Sequence, residues 1–194
     1  MKPVKTKTIA GMGAVLALTA VVLSVVLSRS SFQGAAPQTT ASGVAGVAVG
    51  DVAPDFRLTD AYSRQVSRTS LIAGKPGLMF FTTTYCTPCI KGLEDLVRFE
   101  RDVGSDRMNV VIVFVDPREN NEDLRWYRKQ YGFPPIWYYA LATDDMVVKY
   151  RIRALDTKFV LDRQGVIRFT DVYPATYETW RRALALVGIT PPNR

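Results

Sequence analysis

The chain has 194 residues, of which 47% are hydrophobic and 22% are charged, a balance typical of a globular protein that buries an apolar core. It contains two cysteines and no histidine, which excludes the commonest metal ligand, the usual general base and any Cys-His nucleophile pair. The net charge is +7, from 25 basic and 18 acidic residues. Four of the basic residues lie in residues 1–50, so residues 51–194 contain 21 basic and 18 acidic residues and are nearly balanced. Because no basic stripe or recognition motif accompanies them, we expect no nucleic-acid partner.

The N-terminal segment predicts where the protein resides. Residues 9–27 are nineteen consecutive positions without a charge, and a helix of that length, at about 1.5 Å per residue, roughly matches a hydrocarbon core about 30 Å thick. Lysines precede the segment and basic residues are sparse after it, so the positive-inside rule predicts a cytoplasmic N-terminus at residues 1–8. We therefore expect a transmembrane anchor at 9–27 and a domain in the periplasm or at the cell exterior. A cleaved signal peptide is the alternative.

After the anchor, composition separates a linker from a folded domain. Residues 28–50 are almost entirely small or polar and predict a flexible linker, so that a single domain spans 51–194. In this domain, short apolar runs alternate with stretches of helical periodicity. Strands are predicted at 78–82, 110–115, 136–141, 157–161 and 166–170. Helices are predicted at 89–103, 121–131 and 145–150, and a last helix follows Thr176 and ends at Gly188.

Two of the predicted strands define the centre of the sheet. The runs 78–82 and 110–115 are apolar or β-branched throughout, which is typical of parallel strands buried on both faces. The helical pattern between them predicts a crossover helix, and therefore one βαβ unit. Farther along the chain, Asp162-Arg163-Gln164-Gly165 predicts a hairpin turn between the last two strands.

Both cysteines lie in Cys86-Thr87-Pro88-Cys89, which follows the predicted strand 78–82. Two thiols one helical turn apart form a dithiol that can close to a disulfide and reopen. Cys86 precedes the predicted helix, whose free N–H groups and dipole favour a thiolate, so we expect Cys86 to attack a partner disulfide and Cys89 to resolve the mixed disulfide. Pro88 suits the first helical turn, where its missing N–H costs little. A static structural disulfide and half of a zinc site shared between two chains are the alternatives.

This order of elements around a C-x-x-C motif resembles the thioredoxin fold, and more specifically the membrane-tethered TlpA-like and ResA-like thioredoxins. The segments that carry the resemblance are 50–58, 80–89, 115–117 and 159–165. The resemblance implies an α/β domain in which helices flank a central mixed β-sheet, preceded by one transmembrane helix. It also implies a thiol–disulfide oxidoreductase with a redox disulfide between Cys86 and Cys89 and no cofactor.

The partners follow from the same resemblance. The substrate would be a protein disulfide or dithiol, and in the tethered relatives it is often a cysteine pair of apocytochrome c or of a copper-site protein. The electron donor would lie in the membrane or outside the cytoplasm. Neither the partner protein nor the direction of electron flow follows from the two cysteines themselves.

One position departs from the family pattern. Thioredoxins have a cis-proline before the strand that faces the motif, in the order Leu-Pro-Thr, whereas this chain has Leu155-Asp156-Thr157. A cis bond before a residue other than proline costs about 2.5–4 kcal/mol, so we expect a trans bond. If Asp156 lies near Cys86, its charge would raise the cysteine pKa, or its carboxyl would relay a proton. An aspartate that only caps or turns the chain is the alternative.

The remaining candidates concern the surroundings of the motif and other functions. Tyr85 takes the place where relatives often carry tryptophan, and either contacts partners or serves only as a structural ring. The copper chaperones of cytochrome oxidase assembly share the fold and use two cysteines and a histidine, so Cu(I) binding here would rely on both thiolates with help from Asp156 or a methionine. Thr83, three residues before Cys86, resembles the peroxiredoxin pattern, although Met79 replaces its proline, and leaves thiol peroxidase as another alternative. A non-catalytic tethered interaction module is the last.

Overall fold

A computed structural model describes residues 45–192 of the chain. The predicted anchor at 9–27 and most of the predicted linker lie outside the described residues. Within residues 45–192, none of the helices has the length and apolar character needed to cross a membrane. The strands are β1 (Arg57–Thr59), β2 (Gln65–Ser67), β3 (Gly77–Thr82), β4 (Asn109–Phe114), β5 (Tyr138–Leu141), β6 (Thr157–Leu161) and β7 (Ile167–Asp171). The helices are α1 (Arg68–Leu71), α2 (Thr87–Val103), α3 (Asn121–Gln130), α4 (Met146–Lys149) and α5 (Tyr177–Ala185).

Five strands form a mixed sheet in the order β5-β4-β3-β6-β7. β3 pairs in parallel with β4, and β4 with β5, whereas β6 runs antiparallel to both β3 and β7. The parallel β3–α2–β4 unit confirms the crossover that the sequence predicts. The thioredoxin-like α/β architecture with a central mixed sheet is therefore confirmed for the described residues.

The two faces of β3 belong to two separate hydrophobic clusters. Successive strand residues point to opposite faces of a sheet, so Leu78 and Phe80 pack with α2, α3 and α5, whereas Met79 and Phe81 pack with the N-terminal segments and α4. All six residues of β3 are buried. Because β3 is the central strand, its carboxyl end and the loop that follows it are held on both sides.

Two connections refine the predicted boundaries. β5 begins two residues later than predicted because the Trp137 N–H turns back to donate to the Pro134 carbonyl (3.2 Å). The predicted hairpin turn is confirmed: Asp162 accepts the N–H groups of Gln164 and Val166, and Gly165 has a φ of 79°, a conformation that favours glycine.

The sequence interpretation missed the segments that cover the edges of the sheet. The β1–β2 hairpin lies along β5, where the Ala61 N–H donates to the Tyr139 carbonyl (2.8 Å). At the other edge, the Gly50 N–H donates to the Ile167 carbonyl and the Ile167 N–H donates to Asp51, each at 2.9 Å. The ordered domain therefore includes residues before 51, and both edges of the sheet are partly covered against pairing with other chains.

A buried carboxyl group lies on α2, away from the cysteines. Glu100 is only 3% exposed, and the Trp137 indole N–H donates to both of its carboxylate oxygens (3.1 and 3.2 Å). Burial raises the pKa of Glu100 to about 7, against an ordinary value of 4.5, although the indole hydrogen bond opposes the shift.

This shift predicts that stability falls with rising pH. The folded state holds the Glu100 proton more tightly than the unfolded state, so the benefit is complete below about pH 4.5 and is lost as pH rises to about 7. Between about pH 5 and pH 8, the free energy of unfolding should fall by about 1–3 kcal/mol less in Glu100→Gln than in the wild-type protein. Urea denaturation at the two pH values measures the difference. The partly exposed Glu94→Gln on the same helix is the control, and an equal pH dependence in all three proteins would refute the assignment.

Candidate functional site

The C-x-x-C motif forms the junction between the loop after β3 and the first turn of α2. Cys86 is the N-cap residue of α2, Cys89 lies in its first turn, and Pro88 occupies one of the first helical positions. The two cysteines form a disulfide with Cα atoms 5.2 Å apart. The loop is short because the Cys86 N–H donates back to the Thr83 carbonyl (3.3 Å). Because β3 leads through this short turn directly into α2, both cysteines lie at the carboxyl end of the central strands.

The two cysteines differ in access to solvent. Cys86 keeps 9% of its surface exposed, whereas Cys89 has none. Thr87 and Pro88, between them, are both exposed. A partner can therefore approach from the side of Cys86, and Cys89 can act only on a group already attached to Cys86. This asymmetry agrees with the roles that the motif predicts.

Tyr85 is an exposed ring that is held in one place beside Cys86. It is 61% exposed, and its hydroxyl donates to Asp116 Oδ2 (2.8 Å) on the loop after β4. Arg118 donates to both oxygens of the same carboxylate (2.7 and 3.0 Å). The Arg118 hydrogen bonds, with a smaller contribution from Tyr85, hold the pKa of Asp116 well below its usual range. Tyr85 therefore links the motif to the neighbouring strand and leaves most of its ring open to a partner.

The loop that replaces the cis-proline has a different backbone. The bond before Asp156 is trans, as expected, and Asp156 has a φ of 65° in the left-handed region, where aspartate is one of the few tolerated side chains. Its N–H donates to the Phe81 carbonyl (3.0 Å). A proline could neither adopt this φ nor donate this hydrogen bond. The loop at Asp156 therefore has a backbone conformation that a proline could not adopt. The Thr157 hydroxyl supports this loop by donating to the Ala154 carbonyl (2.7 Å).

Asp156 forms a buried ion pair with Lys158. The two side chains are 5% and 0% exposed, and Lys158 Nζ lies 2.9 Å from Asp156 Oδ1. The ammonium group donates instead to the Tyr173 carbonyl (2.7 Å), and neither carboxylate oxygen has a partner with hydrogen-bond geometry. Burial raises the pKa of Asp156, and Lys158 opposes that shift. Asp156 is therefore a buried carboxyl group whose charge is compensated by Lys158.

Close packing brings the loop before α5 against the motif helix. A Cβ atom on Gly92 would lie 3.1 Å from the Ala175 Cβ and 3.2 Å from its carbonyl oxygen, so a larger residue would force the Ala175 loop to move by a few tenths of an ångström. The Trp180 indole N–H donates to the Gly92 carbonyl (2.7 Å). Gly92 follows Cys89 by three residues, so both lie on the same side of α2. The loop that contacts Asp156 and Lys158 is therefore held next to the buried cysteine.

Sequence reasoning missed three residues near the site. Lys158 carries a charge inside the predicted strand 157–161, two positions after Asp156, and this charge could have drawn attention to the pair. Glu119 accepts the Thr84 N–H (2.5 Å), and Tyr127 is fully buried on α3. No local pattern marks these two, because their partners are distant in sequence.

Metal-ligating side chains do not cluster in the described part of the chain. Residues 45–192 contain no group of three or more Cys, Asp or Glu side chains arranged to hold a metal ion. Exchange between dithiol and disulfide needs only the two cysteines.

Comparison with known proteins places the chain in a family. The model of the AhpC/TSA family matches residues 49–170. The chain is 24% identical over 151 residues to the thioredoxin-like protein YneN of Bacillus subtilis (strain 168), covering 77% of this chain and 86% of that protein. It is 28% identical over 127 residues to the thiol-disulfide oxidoreductase ResA of Geobacillus kaustophilus (strain HTA426), covering 63% of this chain and 68% of that protein.

A solved structure supports the fold independently. The thioredoxin domain of a thiol-disulfide oxidoreductase from Bacteroides vulgatus matches with a TM-score of 0.62 at 21% identity, over 73% of this chain and 99% of that chain. At that identity the likeness shows the fold alone. The family match, in contrast, spans both cysteines and the loop that contains Asp156. The chain therefore belongs to the AhpC/TSA family, with a thioredoxin-like fold.

Proposed function

We propose that this thiol–disulfide oxidoreductase reduces cysteine pairs of a partner protein on the outer side of a membrane. The observation that carries the proposal is the Cys86–Cys89 disulfide at the start of α2, in which Cys86 keeps 9% of its surface exposed and Cys89 keeps none. Cys86 attacks the partner disulfide as a thiolate, and Cys89 then closes the internal disulfide and releases the reduced partner.

The surroundings of the motif favour a reductant. A strongly oxidising dithiol needs a highly stabilised thiolate, as in a motif with nearby cations. Here the residues between the cysteines are Thr87 and Pro88, and Lys91, the nearest cation along α2, lies 3.4 Å from Glu94. Among residues 45–192, Lys158 is the one buried cation, and it is paired with Asp156. Stabilisation of the thiolate therefore rests mainly on the start of the helix.

The proposed location rests on the sequence. The uncharged segment 9–27, the lysines before it and the small polar residues after it support an anchored domain outside the cytoplasm. Such a domain would draw its electrons from a donor in the membrane or outside the cytoplasm. Fusion of a reporter enzyme after residue 194, active only in the cytoplasm or only outside it, tests this topology.

Redox measurements test the direction. We expect a reduction potential for the Cys86/Cys89 couple near that of thioredoxin, about −270 mV, and far below the value of about −120 mV for the oxidant DsbA. Equilibration with glutathione or reduced thioredoxin, followed by quantification of free thiols, gives the value. A potential near −120 mV would reverse the proposed direction.

Parallel titrations with Cu(I) and with hydrogen peroxide test the copper and peroxidase alternatives.

Single serine variants test the roles of the two cysteines. Cys86→Ser should abolish reduction of insulin disulfides, because the accessible nucleophile is lost. Cys89→Ser should retain the first attack and stop at a mixed disulfide through Cys86, visible by mass spectrometry under non-reducing conditions. If Cys86→Ser kept wild-type turnover, the dithiol mechanism would be wrong and a non-catalytic interaction module would be favoured.

The buried ion pair predicts opposite effects of its two members on the thiol. Asp156→Asn removes a negative charge and should lower the pKa of Cys86, whereas Lys158→Met removes a positive charge and should raise it. Iodoacetamide alkylation of the reduced protein between about pH 5 and pH 10 measures both. Because removal of one partner leaves a buried charge unpaired, each variant is first checked for folding by near-ultraviolet circular dichroism. Shifts in the same direction, or none, would show that the pair only supports the loop.

A further inference from the structure

Exposed apolar side chains and cations lie together on α3, the β1–β2 hairpin and the loop before β5. Three large apolar or aromatic side chains are exposed there, with two cations beside them: Tyr62, Trp126, Ile136, Arg128 and Lys129. We call these five residues the far-end surface. A single exposed apolar side chain is normal on a globular domain, whereas a contiguous group of them marks an interaction site.

Direct contacts join the hairpin, the helix and the loop into one surface. Arg128 Nε donates to the Tyr62 hydroxyl (2.7 Å), and the Arg128 guanidinium lies 5.6 Å from the centre of that ring. The Arg64 guanidinium lies 5.7 Å from the same ring and donates to the Pro135 carbonyl (3.1 Å), next to Ile136. The far-end surface is therefore continuous and is held in a fixed arrangement.

The cations of this surface are not neutralised by acidic neighbours. Lys129 and Trp126 are three residues apart and share one side of α3. No carboxylate of residues 45–192 forms an ion pair with Arg125, Arg128 or Lys129. Arg125 donates instead to the Ala61 carbonyl (2.9 Å), which is a neutral group. The surface therefore presents uncompensated positive charge beside exposed rings.

The topology places this surface at the end of the sheet opposite the cysteines. β3, β4 and β5 are parallel, and Cys86 follows the carboxyl end of β3. Because α3 connects the carboxyl end of β4 to the amino end of β5, its last turn and Ile136 lie at the amino end. The hydrogen bond from the Ala61 N–H to the Tyr139 carbonyl (2.8 Å) brings Tyr62 to the same end.

The chain enters the domain at this end as well. β7 is parallel to β3, because each of them is antiparallel to β6. The Gly50 N–H donates to the carbonyl of Ile167, the first residue of β7 (2.9 Å), and Ala45 forms a bridge with Val52. The first residues that the structure describes therefore lie at the amino end of the sheet, away from Cys86.

The predicted anchor limits how far this end can lie from a membrane. The stretch 28–45, even fully extended at about 3.3–3.6 Å per residue, spans at most about 65 Å. A domain tethered over so short a distance meets the bilayer surface at a high effective concentration. The end that is nearest to the anchor along the chain is the end with the exposed rings and cations.

The chemistry of the far-end surface fits a bilayer with negatively charged headgroups. Tyrosine and tryptophan place an apolar ring and a polar atom together at headgroup depth, and lysine and arginine are attracted to anionic lipids. We propose that the far-end surface rests on anionic lipid, with Tyr62 and Trp126 among the headgroups and Arg128 and Lys129 on their phosphates. Cys86 then faces away from the bilayer. This inference rests on the proposed membrane tethering and gives the tethered domain an orientation.

Tryptophan fluorescence of the full chain tests this contact. All three tryptophans lie in the domain, and Trp126 is 53% exposed whereas Trp137 and Trp180 are buried. The full chain is reconstituted in vesicles of phosphatidylcholine, either alone or mixed with phosphatidylglycerol, with bromine on the acyl chains near the headgroup. Both leaflets have the same composition, so either orientation of the anchor reports the same contact. The Trp126→Phe variant identifies the share of the emission that belongs to Trp126.

The expected result depends on lipid charge and on salt. Brominated lipid should quench the Trp126 emission at least about twofold more in the phosphatidylglycerol vesicles, because their charge attracts Arg128 and Lys129. At about 1 M salt, where the Debye length falls to about 3 Å, this difference should disappear. Equal quenching in neutral and anionic vesicles at low salt would overturn the proposal.

A matched pair of double variants locates the contact. Arg128→Gln with Lys129→Gln should reduce quenching in anionic vesicles to the level of neutral vesicles. Arg151→Gln with Arg153→Gln removes two exposed cations that precede β6, at the Cys86 end of the sheet, and should leave the quenching unchanged. Lys129→Glu, at an exposed position, repeats the test without disturbing the hydrogen bond to Tyr62. An equal loss in both double variants would show a general charge effect and refute the assigned surface.

The outcomes separate this contact from the proposed function. The far-end variants should reduce insulin disulfides at the wild-type rate, whereas Cys86→Ser should lose reduction and keep the wild-type quenching pattern. If the full chain does not float with the vesicles in a density gradient, the proposed anchor fails. If it floats but soluble polyglutamate, and not anionic lipid, changes the Trp126 emission, the surface binds an acidic protein and the lipid contact is overturned.

Discussion

Burial of β3 on both faces is the constraint on which the rest of the site depends. Its four large side chains, Leu78 to Phe81, have no exposed surface, and burial of each contributes about 1.5–3 kcal/mol relative to an exposed position. Parallel pairing with β4 and antiparallel pairing with β6 leave the strand no freedom to slide. The loop that leads to Cys86 therefore starts from a fixed point. A one-residue slip would exchange the two faces of the strand and break both hydrophobic clusters.

The neighbours of β3 supply the chemistry at its carboxyl end. From the β4 side come Asp116, which anchors Tyr85, and Glu119, which accepts the Thr84 N–H. From the β6 side comes Asp156, held to Phe81 by its backbone. The neighbours of β3 thus contribute a polar network around Asp116 on one side and a buried ion pair on the other. Each sulfur faces the environment that its step requires: access to a partner for Cys86, and exclusion of water for Cys89.

Much of this arrangement follows from the sequence, and the limits have physical reasons. The apolar runs of β3 and β4 and the helical period between them predict the βαβ unit, because burial on both faces leaves a continuous hydrophobic signature. The placement of the motif at the start of α2 follows from that unit. β1 and β2, with three residues each, are too short to show a period, and the pairing of Gly50 with Ile167 joins segments that are distant in sequence. The contact between Glu119 and the Thr84 N–H is invisible for the same reason.

The buried pair explains why an aspartate can stand where a proline is expected. A buried carboxylate without compensation would be strongly destabilising, and a buried ammonium equally so. Lys158 lowers both costs, because it pairs with Asp156 and also donates to the Tyr173 carbonyl. Such a pair is weak evidence for stability, since well-packed apolar residues often serve as well. Its effect is instead to let the chain carry an aspartate at this position with the charge compensated. The left-handed backbone at Asp156 lets its N–H donate to the Phe81 carbonyl while its carboxyl group meets Lys158 in the interior.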